Sequence, residues 1–173
     1  MQIRKGTQKD IDELTALYDD LTDHLESHTN YPGWRKGCYP AREDAERGIE
    51  EESLFVVIKE GKIVGTVILN HQPEKAYELV DWKNQFADSE IFVVHTLAVH
   101  PKFFGNGIGK KIMEFVLSYA KQMGMKAIRL DVYDKNIPAI QLYESFGFQY
   151  MGSVDLGLGM FGLDHFRTYQ IIL

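Results

Sequence analysis

Two spacings of apolar residues take turns along this chain, one near 3.6 residues and one near 2, and their order predicts alternating helices and strands. Gln2 to Lys5 reads as a short strand. Ile11, Leu14, Tyr18, Leu21 and Leu25 then fall at helical spacing, continuing to about His24, and Thr7 with Asp10 three residues on marks that helix's start. Thr29 to Pro40, TNYPGWRKGCYP, carries two prolines, two glycines and three aromatics, the composition of a loop. A short charged helix follows from Ala41 to about Glu51.

Ser53 to Lys59 and Lys62 to Asn70 are rich in Val, Ile and Leu around Glu60 and Gly61, the pattern of a hairpin. His71 to Ser89 is polar with scattered aromatics, Tyr77 and Trp82 among them, and reads as an excursion between strands that either closes a pocket or pairs with another subunit. Glu90 to His100 is apolar on both alternating faces, which predicts a central buried strand. The next helix places Ile108, Ile112, Val116 and Tyr119 on one face, with Gly124 as its C-cap. A strand from about Ala127 to Tyr133 leads to a helix ended by Gly147, then a glycine-rich loop from Val154 to Asp164 and a last strand from His165 to Ile172. The order is β, α, α, β, β, β, α, β, α, β, β, which predicts a mixed sheet flanked by helices in one domain over 1–173.

Composition narrows the partners. The formal charge of −6 is spread without a basic block. Phosphate neutralisation needs clustered Lys and Arg, so nucleic acid is not an expected partner, whereas a cationic, amine-bearing acceptor is compatible. A single cysteine, Cys38, leaves no intramolecular disulfide and fits a reducing compartment. MQIRKGTQKD at the N-terminus lacks a signal peptide's apolar region, and no apolar run approaches about 18 residues, so the expected setting is the cytoplasm, with no membrane partner.

The stretch Leu97 to Gly109, LAVHPKFFGNGIG, joins the apolar strand to a helix through three glycines and no acidic side chain. Amides at a helix start are unpaired and carry the positive end of the helix dipole, so such a junction suits phosphate. A P-loop would need glycine at Phe104 and Ser or Thr at Lys111, and the dinucleotide fingerprint starting at Gly105 meets Lys110 where its last glycine belongs. A literal GxGxxG at Gly157, Gly159 and Gly162 has no βαβ unit after it and reads as a flexible loop.

The junction instead resembles the coenzyme A signature of the GNAT N-acetyltransferases, [QR]xxGx[GA], with Gly107 and Gly109 at its glycine positions, Gly105 as a frequent extra one, and Phe104 where Gln or Arg is usual. Asn136 to Phe148, NIPAIQLYESFGF, looks like the family's second motif, NxxAxxLYxxxGF. The two stand in the family's order about 30 residues apart, which makes the pair far more specific than either alone. The resemblance implies a GNAT fold: α/β (α+β), a mixed, mostly antiparallel twisted sheet of about seven strands with about four helices. Its fourth and fifth strands splay to admit the pantetheine arm. It also implies acetyl-CoA as co-substrate without a metal, held by Leu97, Ala98, Val99, Phe104, Gly105, Asn106, Gly107, Ile108, Gly109, Lys110 and Asn136. A homodimer is compatible with it.

Aminolysis of a thioester needs a neutral amine, a polarised carbonyl and a protonated leaving sulfur. A lysine-like amine has a pKa of about 10.4 and must first lose a proton to a base. His95 on the central strand and Asp131, an acid within an apolar strand, are the candidates, with His95 preferred. The resemblance places the oxyanion's amide donor near Leu97 and makes Tyr143 the general acid for the sulfur. It also builds the acceptor pocket from the region of Tyr31, Trp34 and Tyr39. The expected activity is direct acetyl transfer to a primary amine of a small molecule, peptide or protein; the alternative is a non-catalytic acyl-CoA-binding regulatory module.

Overall fold

Local signals in the chain become elements where the sequence predicts them. In the computed structural model, which describes residues 1–173, the strands are β1 (Gln2–Lys5), β2 (Leu54–Lys59), β3 (Lys62–Asn70), β4 (Ile91–Val99), β5 (Ala127–Tyr133), β6 (Gln149–Val154) and β7 (Phe166–Ile172). The helices are α1 (Ile11–Ser27), α2 (Arg42–Glu50), α3 (Ile108–Gln122) and α4 (Ile137–Ser145). The strands make one sheet in the order β1-β2-β3-β4-β5-β7-β6. Its β4/β5 pairing is parallel, while β1/β2, β2/β3, β5/β7 and β6/β7 are antiparallel. The expected mixed, mostly antiparallel sheet with flanking helices is therefore present.

The chain groups into two compact units. One comprises Met1–Asn30, Trp34–Leu69 and His95–Phe115, the other Tyr31–Gly33, Asn70–Val94 and Val116–Leu173.

In the first unit, the α1 stripe predicted from spacing is the buried face: Ile11, Leu14, Leu17, Tyr18, Leu21 and Leu25 pack against Leu54, Val56, Ile63, Ile68 and Ala98. Each such side chain taken fully out of water stabilises by roughly 1.5–3 kcal/mol. The chain enters α1 through a tight turn in which Asp10 accepts from the backbone N–H and hydroxyl of Thr7 and from the two terminal guanidinium nitrogens of Arg4, at 2.7 and 2.9 Å. The Arg4 hydrogen bond, the larger influence, and those from Thr7 hold the Asp10 carboxyl at about 2 despite its burial. Glu60 and Gly61, both at positive φ, turn β2 into β3 as the hairpin pattern requires. Gly65 on β3 is a packing glycine: a side chain there would stand 3.0 Å from the Ala98 carbonyl oxygen and 3.2 Å from Ile108.

In the second unit, β5 pairs with β7 over its whole length, Ala127↔Ile172 to Tyr133↔Phe166, and β6 closes the edge. The β4/β5 ladder is short, running only from Ile91↔Ala127 to Val94↔Leu130. Asn136 caps α4 by accepting from the Ala139 N–H at 3.4 Å, with Pro138 in the first turn where its missing donor costs nothing. The 71–90 excursion contains 3-10 turns over Lys75–Leu79 and Asp88–Glu90. Its Tyr77 and Trp82 are buried with Ile91, Val93 and Ala127, so both rings are spent inside this chain and are not left for another subunit.

Candidate active site

The glycine junction in the first unit has the backbone that an anion cradle requires. Gly105 and Gly107 adopt φ of +75° and +73°, and nothing lies within 4 Å of where a side chain would start at either. This left-handed conformation disfavours L side chains, and the open space in front of both residues leaves room for a ligand's oxygens. The first α3 bond runs from the Lys111 N–H to the Gly107 carbonyl, so the amides of Ile108, Gly109 and Lys110 precede the helical ladder. No acidic residue occupies the first turn. The side chain of Ile108 is buried in the core, which leaves its backbone as the part available to a ligand. Phe104, standing where Gln or Arg is expected, is 45% exposed and lies edge-on to His24 at 5.4 Å, His24 itself stacking on His28. Its ring is thus directed to the end of α1, and the cradle is made of backbone.

One turn upstream, β4 carries a strained residue. Thr96 has φ of +47°, a region that a β-branched side chain occupies only under constraint, at a cost on the order of 1–3 kcal/mol. Its hydroxyl is hydrogen-bonded to that of Tyr39. Around this kink His95, Leu97 and Val99 are half-buried, while Thr96 and Ala98 are buried. Ala98 points its methyl into the α1 core, so it too offers only backbone. Leu97, where the resemblance puts the oxyanion's amide donor, directly follows this kink, and Thr96 is a residue that no spacing singled out.

The three aromatics assigned to an acceptor pocket divide between the two units. Trp34 and Tyr39 meet edge to face at 5.7 Å within the first unit. Tyr31 belongs to the second and is exposed. Beside it Gly33, at φ +73°, lies against the buried Leu163 so closely that any side chain would collide with it. The GxGxxG segment is a loop pinned by a Leu158–Leu163 bridge.

Asp131, Asn136 and Tyr143 all lie in the second unit. Asp131 is the first residue of β5 past the β4 ladder and pairs there only with Thr168 of β7. Its carboxylate Oδ2 accepts from the Tyr77 hydroxyl at 2.7 Å. Burial pushes this carboxyl up to about 6, with the nearby Glu74 adding to the rise and the Tyr77 hydrogen bond opposing it. The Tyr77 phenol is held well above its ordinary value by burial first, then by the Asp131 charge and, more weakly, by Glu74 and Tyr143. Tyr143 is buried on α4, its ring 6.0 Å from that of Phe148. An acid candidate, a base candidate and a second phenol therefore share one neighbourhood.

Sequence reasoning singled out Asp131 and Tyr143 as candidates but not the hydrogen bond from Tyr77 to Asp131. The only signal for it was an aromatic in a polar excursion. What anchors that excursion is a buried set of contacts: Trp82 donates to the Tyr77 carbonyl at 2.9 Å, and the Arg129 guanidinium lies 4.3 Å over the Trp82 ring. Arg129 also donates to Gln170 and to the Asn84 carbonyl, and Gln170 donates to the Trp82 carbonyl.

Comparison with known proteins shows the family. The sequence profile of the Acetyltransferase (GNAT) family matches residues 14–148, and the chain belongs to that family. It is 30% identical over 138 residues to an uncharacterised N-acetyltransferase of Methanocaldococcus jannaschii, a match covering 76% of this chain and 57% of that relative. A GNAT-family acetyltransferase of Streptococcus agalactiae superposes with a TM-score of 0.84 at 22% identity, covering 99% of this chain and 95% of the other. A Salmonella typhimurium protein whose structure was solved with its cofactor acetyl-CoA superposes with a TM-score of 0.70 at 18% identity, covering 100% of this chain and 94% of that one.

Proposed function

We propose that this member of the GNAT family is a cytoplasmic acetyl-CoA-dependent N-acetyltransferase that acts as one domain on a primary amine of a small molecule or peptide. The observation that carries the reading is the pair of left-handed glycines, Gly105 and Gly107, opening onto free space at the start of α3. The residues present suit the coenzyme: amides of Gly107 to Lys110 would hold its pyrophosphate, and Asn136 would meet its arm after capping α4. Acetyl-CoA would supply an activated thioester, and no metal is invoked.

The protein's own residues then have separate tasks. Backbone amides beside the Thr96 kink would polarise the acetyl carbonyl, since donors fixed in advance stabilise developing charge without reorganising. Asp131, a carboxyl poised at about 6, is better matched to accepting a proton near neutrality than an ordinary carboxylate. Tyr143 would protonate the leaving sulfur; the thiol pKa of about 8.5 against about 10 for a phenol makes that transfer mildly uphill and feasible when concerted with bond cleavage. His95, half-buried on β4, is the other candidate for the base.

A non-catalytic acyl-CoA-binding module would use the same cradle but would have no need of a buried carboxyl, which burdens the fold at neutral pH. A thiol-release assay with acetyl-CoA across polyamines, aminoglycosides, amino acids and peptide N-termini tests the reading. Release above the background hydrolysis rate with any amine supports it. Tight coenzyme binding without release from any acceptor would leave the module as the better description.

A further inference from the structure

The excursion between β3 and β4 reaches the candidate chemistry through one atom. Tyr77, 3% exposed, donates its hydroxyl to Asp131 Oδ2 at 2.7 Å across 54 residues of sequence. A buried hydroxyl requires a partner, but a partner alone does not require what surrounds this one. The Tyr77 ring packs on Trp82, and the Tyr77 carbonyl accepts from the Trp82 indole. Trp82 is clamped in turn by Arg129 and Gln170. The direction of the phenol is thus set by a rigid buried network rather than by a mobile loop.

We propose, resting on the acetyltransferase reading above, that Tyr77 is a positioning residue: it fixes Asp131 Oδ2 so that Oδ1 is the oxygen that takes the proton from the acceptor's ammonium group. Asp131 accepts that proton and the amine becomes neutral. As the N–C bond forms and the C–S bond breaks, Tyr143 gives its phenolic proton to sulfur and recovers the one that nitrogen sheds. Asp131 then returns its proton to water, so each turnover releases one proton and both side chains are restored.

Every charged or titratable group identified around the carboxyl fits this division of labour. Glu74 and Tyr77 come from the excursion, and Tyr143 from α4 bears on Tyr77. Thr168, opposite on β7, is committed to the Gly152 carbonyl, and Arg129, on the same face of β5, is committed to Gln170, Asn84 and Trp82. Tyr77 is left as the one direct hydrogen-bond donor shown for Asp131. A hydrogen bond to the charged form favours that form, so this phenol also keeps a buried carboxyl ionised enough to serve as a base.

The test is a carboxyl carbon-13 NMR titration of the full chain labelled at aspartate, with the Asp131 signal assigned by its loss in Asp131→Asn. This measurement needs neither coenzyme nor acceptor, so it stands apart from the acetyltransferase reading, which the thiol-release assay tests. In wild type the signal titrates near 6. Tyr77→Phe, which keeps the ring, moves it upward by about one unit. 3-Fluorotyrosine at position 77, a stronger donor of nearly the same shape, moves it downward and provides the result should the Phe variant fold poorly. Once an acceptor is known, the acidic limb of kcat/KM moves with the NMR value in each variant. A titration unmoved by either replacement overturns the proposal, as does a kinetic limb that stays fixed while the carboxyl shifts.

Discussion

Replacing Asp131 with Asn should make the folded protein more stable at pH 8 while disabling it as a catalyst. The native carboxyl sits at about 6, against about 3.9 in an unfolded chain. That is roughly two units, and at about 1.36 kcal/mol per unit the upper bound is about 3 kcal/mol. Asp131 keeps slight solvent exposure, which reduces the expected effect to about 1–2 kcal/mol. Because the folded value is raised, the folded state binds the extra proton. The favourable contribution is therefore fully present below about pH 4, declines as pH rises through about 6, and is absent above that. Asn retains a carbonyl oxygen to accept from Tyr77 and does not titrate. Urea or thermal unfolding at pH 4 and pH 8 measures the difference; for a chain of this size about 1–2 kcal/mol corresponds to roughly 2–8 °C in Tm. A variant that gains equally at both pH values, or gains nothing at pH 8, would refute the assignment of a raised carboxyl at this position.

Gly107→Glu should abolish acetyl-CoA binding in calorimetry, because it sets a carboxylate where pyrophosphate would lie; unchanged affinity in a folded variant removes the coenzyme assignment. Tyr143→Phe should lower kcat by about 10²-fold with little change in coenzyme Kd, since it keeps the ring and removes only the phenolic proton; a near-normal kcat excludes the phenol as the acid. Asp10→Asn should destabilise the fold by about 1–2 kcal/mol at pH 7, an amount discounted for the partly exposed Arg4. With the Asp10 carboxyl depressed to about 2, that difference is present above about pH 4 and should vanish as pH falls through about 2 in urea titrations.

By itself the sequence determined whatever depends on near neighbours. Helical spacing placed the buried face of α1, the Glu60-Gly61 turn placed a hairpin, and Asn136 ahead of Pro138 placed the start of α4. The glycine cradle was legible for the same reason, since positive φ at Gly105 and Gly107 is a local backbone demand written in residue type. Tertiary structure alone decided which distant side chains meet. The Tyr77–Asp131 hydrogen bond joins residues 54 apart, and the Tyr39–Thr96 bond residues 57 apart. Neither the polar excursion nor the aromatic loop has a hydrophobic period to reveal where it docks, and a threonine inside a β-branched run looks like an ordinary strand residue. Burial is likewise a property of the assembled fold, so an aspartate that the sequence shows only as an acid within an apolar strand has, once desolvated beside Tyr77, a carboxyl raised to about 6.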